Sequence, residues 1–316
     1  MTSLHSGYGL LIDSELPLPD LAPAPAAPSG PDVVVRLGPV APPSAAAVAL
    51  PRGLWVDDER IGIDVPGVGR YACEHGDRIT IAPDPGATDA RLRLFLLGSA
   101  LGALLAQRGL LVLHGNAFVV DGGCAIVLGH SGAGKSTLAA EMHRRGHVVL
   151  SDDVVPVDAT GRALPGWPRI KLWQDALDRL GVPSDGLDRV DSSFAKFHVP
   201  LDRAAGPLAP VPVRWIYVLD RHDGPLRVVP VTGAAAFTSL HEHSYRNEIL
   251  VGALRRTHLA HSAALVATAR LARVERPRDT DSVASSADAI LADIRHVSDR
   301  EEQQHAPSRA NRTVDA

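Results

Sequence analysis

Lysine is nearly absent. Of 32 basic side chains in 316 residues, only Lys135, Lys171 and Lys196 are lysines. GC-rich codon usage produces such a skew, so rarity assigns no role by itself, but each of the three calls for an explanation. Cysteine is scarcer still, and Cys124 of the pair Cys73 and Cys124 sits in an apolar strand-like run. That excludes a disulfide framework and fits a reducing compartment, the cytoplasm. Long apolar runs are missing: the most hydrophobic stretch is broken by glycines and by Gln107-Arg108, so no membrane span is expected. The first twenty residues lack the basic and apolar regions of a secretion signal. A basic surplus is missing too. The formal net charge of -4 provides no general attraction to nucleic acid or an anionic membrane, which leaves room only for a local basic patch. The expectation is a cytoplasmic protein with neither partner, and composition leaves homo-oligomerisation open.

What is present divides the chain. Residues 1–89 read as short strands, "YGLLIDSEL", "VVVRLG", "LWVDDERIGIDVPGVG" and "DRITIAP", punctuated by Pro and Gly. They predict a small antiparallel β-rich N-terminal module without a motif that carries chemistry. Residues 90–108, "ARLRLFLLGSALGALLAQR", predict a linking helix stopped by Gly109. Over 109–296 strands alternate with helices, which predicts an α/β domain. Within it "PRIKLWQDALDRLG" reads as a helix with Leu172, Ala176, Leu177 and Leu180 on one face, and "AAAFTSLHEHSYRNEILVGALRR" as another helical stretch. Residues 297–316 are polar and predict a disordered tail.

The densest signal is "GHSGAGKST", residues 129–137, which follows the apolar "CAIVLG" and precedes the helical "STLAAEMHRR". Gly129, four intervening residues, then Gly134, Lys135 and Ser136 satisfy the P-loop spacing, and strand before and helix after are the context it requires. Residues with little or no side chain let the backbone N–H groups of Gly129, His130, Ser131, Gly132, Ala133 and Gly134 close around a phosphate chain. The helix start at Lys135, Ser136 and Thr137 adds its positive dipole end. Lys135 is then placed for β- and γ-phosphates and Ser136 for Mg²⁺, so the loop is expected to hold ATP or GTP.

Next comes "LSDD", residues 150–153. On the expectation that neighbouring strands of a parallel sheet end on one edge, Asp152 and Asp153 stand beside the phosphates. One could hold Mg²⁺ while the other takes a proton from a hydroxyl. Asp220, ending "WIYVLD", is a rival magnesium ligand. Arg169, Lys171 and Lys196 are candidates for phosphate contact. Arg246 is a candidate for stabilising transferred charge. His241 and His243, two residues apart, point away from each other on a helix and do not suggest zinc.

The stretch "LHGNAFVVDGGCAIVLGHSGAGKSTLAAEMHRRGHVVLSDDVV" resembles the catalytic core of the HPr kinase/phosphorylase superfamily, over roughly residues 110–158. The resemblance implies a P-loop kinase core that moves the ATP γ-phosphate to a serine hydroxyl. It implies that Asp152 is the base, His114 an active-site histidine and Asp153 a magnesium-associated carboxylate. The N-terminal stretches are instead similar to the HPr-kinase-like proteins of lasso-peptide biosynthetic clusters, which implies a precursor peptide's C-terminal serine as acceptor. The expectation is therefore an α/β P-loop kinase with a β-rich N-terminal module, using ATP and Mg²⁺ on a peptide or protein substrate. A kinase of a small hydroxylated metabolite and a nucleotide-binding regulatory or assembly ATPase are the alternatives.

Overall fold

The structure, a computed structural model, describes residues 3–19, 21–25, 28–201, 209–278 and 282–305, the side chains of 300–305 excepted. The short apolar runs of the first 83 residues form β1 (Ser3–Gly7), β2 (Leu10–Ser14), β3 (Val33–Leu37), β4 (Val48–Leu50), β5 (Leu54–Val56), β6 (Arg60–Val65), β7 (Gly69–Glu74) and β8 (Arg78–Pro83). They make one sheet in the order β1-β2-β3-β8-β7-β6-β5-β4. The sheet is not wholly antiparallel as predicted, because β2 pairs with β3 and β3 with β8 in parallel. A parallel pair needs a crossover of a dozen or more residues, which the chain between Ser14 and Val33 supplies.

The expected linking helix is α1 (Asp89–Phe95) and α2 (Leu101–Gln107) joined by a π-helical turn over Leu96–Ala100. Thr88 caps its start by accepting from Arg91 N. Its apolar face does more than link. Leu92, Leu96, Leu97, Leu101, Leu104 and Leu105 are buried in one cluster with Ile61, Ile79 and Ile81 of the sheet. Each such side chain contributes about 1.5–3 kcal/mol, so the helix completes the core of the β-rich module. Val112 and Val154 belong to the same cluster, which carries that core up to the second sheet.

The second sheet begins with the hairpin β9 (Leu111–Val120) and β10 (Gly123–Leu128), turned by Asp121 and Gly122 with φ of 46° and 69°. Two positive φ angles match the twist of the strands they join. Then follow α3 (Lys135–Arg144), β11 (Val149–Val157), β12 (Arg162–Ala163), β13 (Arg169–Trp173), α4 (Gln174–Leu180), β14 (Arg189–Asp191) and β15 (Phe194–Pro200). After them come β16 (Val211–His222), β17 (Arg227–Pro230), α5 (Gly233–Glu242), α6 (Gly252–Thr268), β18 (Arg270–Pro277) and α7 (Val283–His305). The order is β10-β9-β11-β12-β16-β18-β17, and β10 also pairs in parallel with β16, so five strands close on themselves. A small third sheet runs β13-β15-β14.

Four expectations are corrected. β11 is not the parallel neighbour of β10, because β9 lies between them, antiparallel to both. Arg169–Trp173 is a strand, and helix begins only at Gln174. The long helical stretch breaks after Glu242. There His243 O accepts from His114 N at 2.7 Å and Tyr245 N donates to Val112 O at 2.8 Å, so hydrogen bonds to β9 replace those of a continuous helix. α7 runs to His305, so residues 297–305 are helical, its buried Ile290 and Ile294 anchoring it against Trp215 and Tyr217. Residues 306–316 of the predicted tail lie outside the described residues. Among the described residues no helix is long and apolar enough to cross a membrane.

Candidate active site

The glycine loop joins β10 to α3. Gly129, Gly132 and Gly134 have φ of 146°, 78° and 83°, values that side chains with a Cβ rarely adopt. The Lys135 ammonium is buried and donates to the carbonyls of Gly129 at 2.7 Å and His130 at 3.2 Å. Burial lowers its pKa. Arg276, buried on β18, donates to Ala133 O and so fastens the loop from behind. Nothing in "VERPRD" distinguishes Arg276 from a surface arginine, and the sequence reading missed it.

Asp152 and Asp153 do not end a strand; they lie in the middle of β11, opposite Asn116 and Gly115 of β9. Successive strand residues face opposite sides of a sheet. Asp153, however, has φ of +74°, an uncommon value for a residue with a Cβ, and both carboxylates line one cavity of about 180 Å³. Ser151 Oγ spans the kink to Val154 O at 2.6 Å. Ser131 through Thr137, His114 and Asn116 line the same cavity, as do Lys135, Lys171 and Lys196. All three lysines of the chain therefore meet at one place.

The two carboxylates have different surroundings. Asp152 accepts from the Asn116 amide, from Ser136 Oγ at 3.1 Å and from the Lys171 main-chain N–H at 2.7 Å, three neutral donors. Burial, and then the charge of Asp153, raise its pKa. Asp153 receives the Lys171 ammonium at 2.9 Å, and His114 Nδ1 lies 3.3 Å from its Oδ1 and 3.1 Å from its carbonyl oxygen. Burial pushes its pKa up, but Lys171 and His114 outweigh that and hold it well below the usual carboxylate range. Ser136, expected with Asp153 around a magnesium ion, donates here to Asp152. Asn116 was missed in the sequence. Its signal was there: a second polar residue two positions after His114, on the same face of an otherwise apolar strand.

Other candidates lie elsewhere. Arg246, with φ of 51°, donates to Ser99 Oγ at 2.7 and 3.1 Å. It lines a neighbouring cavity of about 590 Å³ with Gly129, His130, His243 and His114. The His130 and His243 rings there stand edge to face, 5.1 Å apart. Tyr245 packs edge-on against His114 with centroids 5.5 Å apart. A Cβ added at Gly98 or Gly102 would come within 2.8 Å of the Tyr245 ring or hydroxyl, so the two glycines of "LGSALG" open the space for the tyrosine that backs His114. Asp220 sits on β16 beyond the residues paired with β10, half exposed, with Arg273 at 4.0 Å. No group of three or more His, Cys, Asp or Glu side chains forms a metal site among the described residues.

Against known proteins, no family model matches. A curated HPr kinase/phosphorylase from Azoarcus sp. (strain BH72) is 35% identical over 101 residues, 31% of this chain. The match spans 30% of that relative's own length. Among solved structures, the HPr(Ser) kinase/phosphatase from Coxiella burnetii aligns over 62% of this chain and 98% of its own, with 14% identity and a TM-score of 0.29.

Proposed function

We propose that the chain is an ATP-dependent phosphotransferase that moves a γ-phosphate to a serine hydroxyl of a peptide or protein, with a precursor peptide's C-terminal serine as the acceptor. The supporting observation is the convergence of Lys135, Ser136 and the Asp152–Asp153 pair in one cavity. The likeness to HPr kinase/phosphorylase over 101 residues favours the same chemistry. An assembly ATPase built on Asp220 finds no such support, since that carboxylate is exposed and outside the cavity.

A magnesium ion fits the donor set. Asp152 is partly buried and its hydrogen-bond donors here are all neutral, a hydroxyl lies beside it, and Mg²⁺ takes few protein ligands, all oxygen. Ser136 and Asp152 would hold it, and when bound it would neutralise charge on the β- and γ-phosphates. Asp153 already has the ammonium of Lys171, so we exchange the roles that the resemblance implied: Asp152 is the metal-associated carboxylate and Asp153 the base. The loop N–H groups surround the phosphates, and Lys135 leaves its two carbonyl partners to meet them. Asp153 takes the proton of the acceptor hydroxyl as that oxygen bonds to the γ-phosphorus and the bond to the β–γ bridging oxygen breaks, leaving ADP. His114 holds the carboxylate in position. Because Asp153 is a weak base, positioning carries more of the rate than proton removal, as a loose transition state allows.

The test is mass spectrometry of serine-ending peptides after incubation with the protein, ATP and Mg²⁺. One added phosphate on the terminal serine is expected, and about 10²- to 10³-fold less in Lys135→Ala. Nucleotide hydrolysis without any phosphorylated peptide would overturn the reading.

A further inference from the structure

The third sheet brings a cation without an oxygen partner to the glycine loop. In the register of β13 and β15, Trp173 stands opposite Lys196 and Leu172 opposite Phe197. Residues directly opposite each other, and residues two apart on one strand, share a face. Lys171, Trp173 and Lys196 are therefore on one face. Ile170, Leu172 and Phe197, on the other, are buried in one cluster with Ala139 and Val149. The packed face fixes the sheet, and Lys171, Trp173 and Lys196 line the cavity of the glycine loop and the carboxylate pair.

Two of the three lysines there have oxygen partners: Lys135 donates to the carbonyls of Gly129 and His130, and Lys171 to Asp153. Lys196 has none among the described residues. Its ammonium lies over the exposed Trp173 ring, 5.6 Å from the centroid. Burial lowers its pKa, and the charge of Asp153 opposes that more strongly than the charge of Asp152 does. Lys196 is in turn felt as a like charge at Lys135. It thus stands within electrostatic range of the lysine that meets the β- and γ-phosphates and of the carboxylate proposed as base, and the transferred phosphate must pass between those two. A cation over an aromatic ring makes a weaker pair than an ammonium on a phosphate oxygen, so a phosphate can draw Lys196 from Trp173. With three ammonium groups against two carboxylates, the described lining carries charge of the sign that a phosphate chain requires.

We infer that Lys196 is a ligand of the γ-phosphate, supplied from outside the glycine loop, and that its ammonium leaves Trp173 for that phosphate when ATP binds. The inference deepens the phosphotransfer reading, and rests on it for the place of ATP, by naming a side chain that tells ATP from ADP. As the phosphoryl group passes to the acceptor oxygen, Lys196 stays on its outer oxygens and offsets their charge, the part an arginine finger plays in other phosphotransferases.

Nucleotide binding tests it apart from turnover. The probes are the β,γ-imido analogue of ATP and ADP, each with Mg²⁺, titrated by calorimetry into wild type, Lys196→Met and Lys196→Arg, with circular dichroism as the control for folding. Lys196→Met should bind the triphosphate analogue about ten- to a hundredfold more weakly than wild type, as loss of a charge-assisted contact implies, and ADP equally well. Lys196→Arg should restore part of the loss. The second readout is fluorescence, because Trp173 is exposed while Trp55, Trp167 and Trp215 are buried. Tryptophan emission should change when the triphosphate analogue binds and not when ADP does, and that difference should vanish in Lys196→Met and in Trp173→Phe. Equal weakening of both nucleotides, or full triphosphate affinity in Lys196→Met, overturns the inference. Should Lys196→Met not fold, the lack of a triphosphate-specific emission change in wild type overturns it instead. If neither nucleotide binds wild type, this inference and the phosphotransfer reading fall together. If triphosphate affinity depends on Lys196 but no peptide is phosphorylated, the role of Lys196 stands and the phosphotransfer reading falls.

Discussion

Two strands carry acidic residues near the glycine loop, and they differ in everything but charge. β16 is the parallel neighbour of β10 and leads to Asp220, which is where a sheet-edge rule looks for a magnesium ligand. β11 is one strand removed from β10, yet its Asp152 meets Ser136 at 3.1 Å. Asp220 is half exposed beside Arg273, whereas Asp152 and Asp153 are partly buried among three lysines. Adjacency in the sheet therefore does not decide which carboxylate meets the serine of the loop. Asp152 lies instead in a sheet whose five strands close on themselves, next to the left-handed turn at Asp153.

The comparison predicts a graded series. Asp153→Asn removes the proton acceptor and should lower phosphotransfer about 10²- to 10⁴-fold with ATP still bound, as single-turnover assays would read. A near-normal rate would return the base to Asp152. Asp152→Asn should raise the Mg²⁺ concentration for half-maximal rate, by about tenfold or more, with a smaller loss at saturating Mg²⁺. If the Mg²⁺ requirement moves in Asp153→Asn instead, the exchange of roles is wrong.

Acid unfolding adds a second axis. Burial holds His243 and His258 near pKa 4, below the ordinary 6.5, so the unfolded chain takes up protons first. The stability they lend by staying neutral is present above pH 6.5 and lost as pH falls toward about 4. After discounting for partly wet surroundings, this is on the order of 1–2 kcal/mol for each histidine. Wild type should show this loss in denaturant midpoints, and Asp153→Asn should start lower at neutral pH. The two should converge only below the ordinary carboxylate range, because the depressed Asp153 keeps its pairing until pH falls through its folded pKa. The smallest effect belongs to Asp220→Asn, within about 0.5 kcal/mol of wild type in stability and with unchanged turnover. Loss of turnover there would favour the ATPase alternative.

Local patterns carried much of this protein on their own. The hairpin turn at Asp121-Gly122, the strand and helix flanking the glycine loop, and the core positions Leu138 and Met142 all follow from periodicity and turn chemistry, which act over a few residues. Lysine scarcity hinted at its answer but could not supply it, because nothing local links Lys171 and Lys196 to Lys135. Only the third sheet, pairing β13 with β15, carries both to the glycine loop. The break after Glu242 was invisible for a similar reason: its backbone groups bond to β9, more than a hundred residues earlier. The two glycines of "LGSALG" read as interruptions until Tyr245 was found in the space they leave. Sequence alone nominated the glycine loop, the three lysines and the two adjacent aspartates. Tertiary structure decided which carboxylate stands beside Ser136 and which beside Lys171, since burial and charge partners belong to neighbours that the chain brings together only by folding.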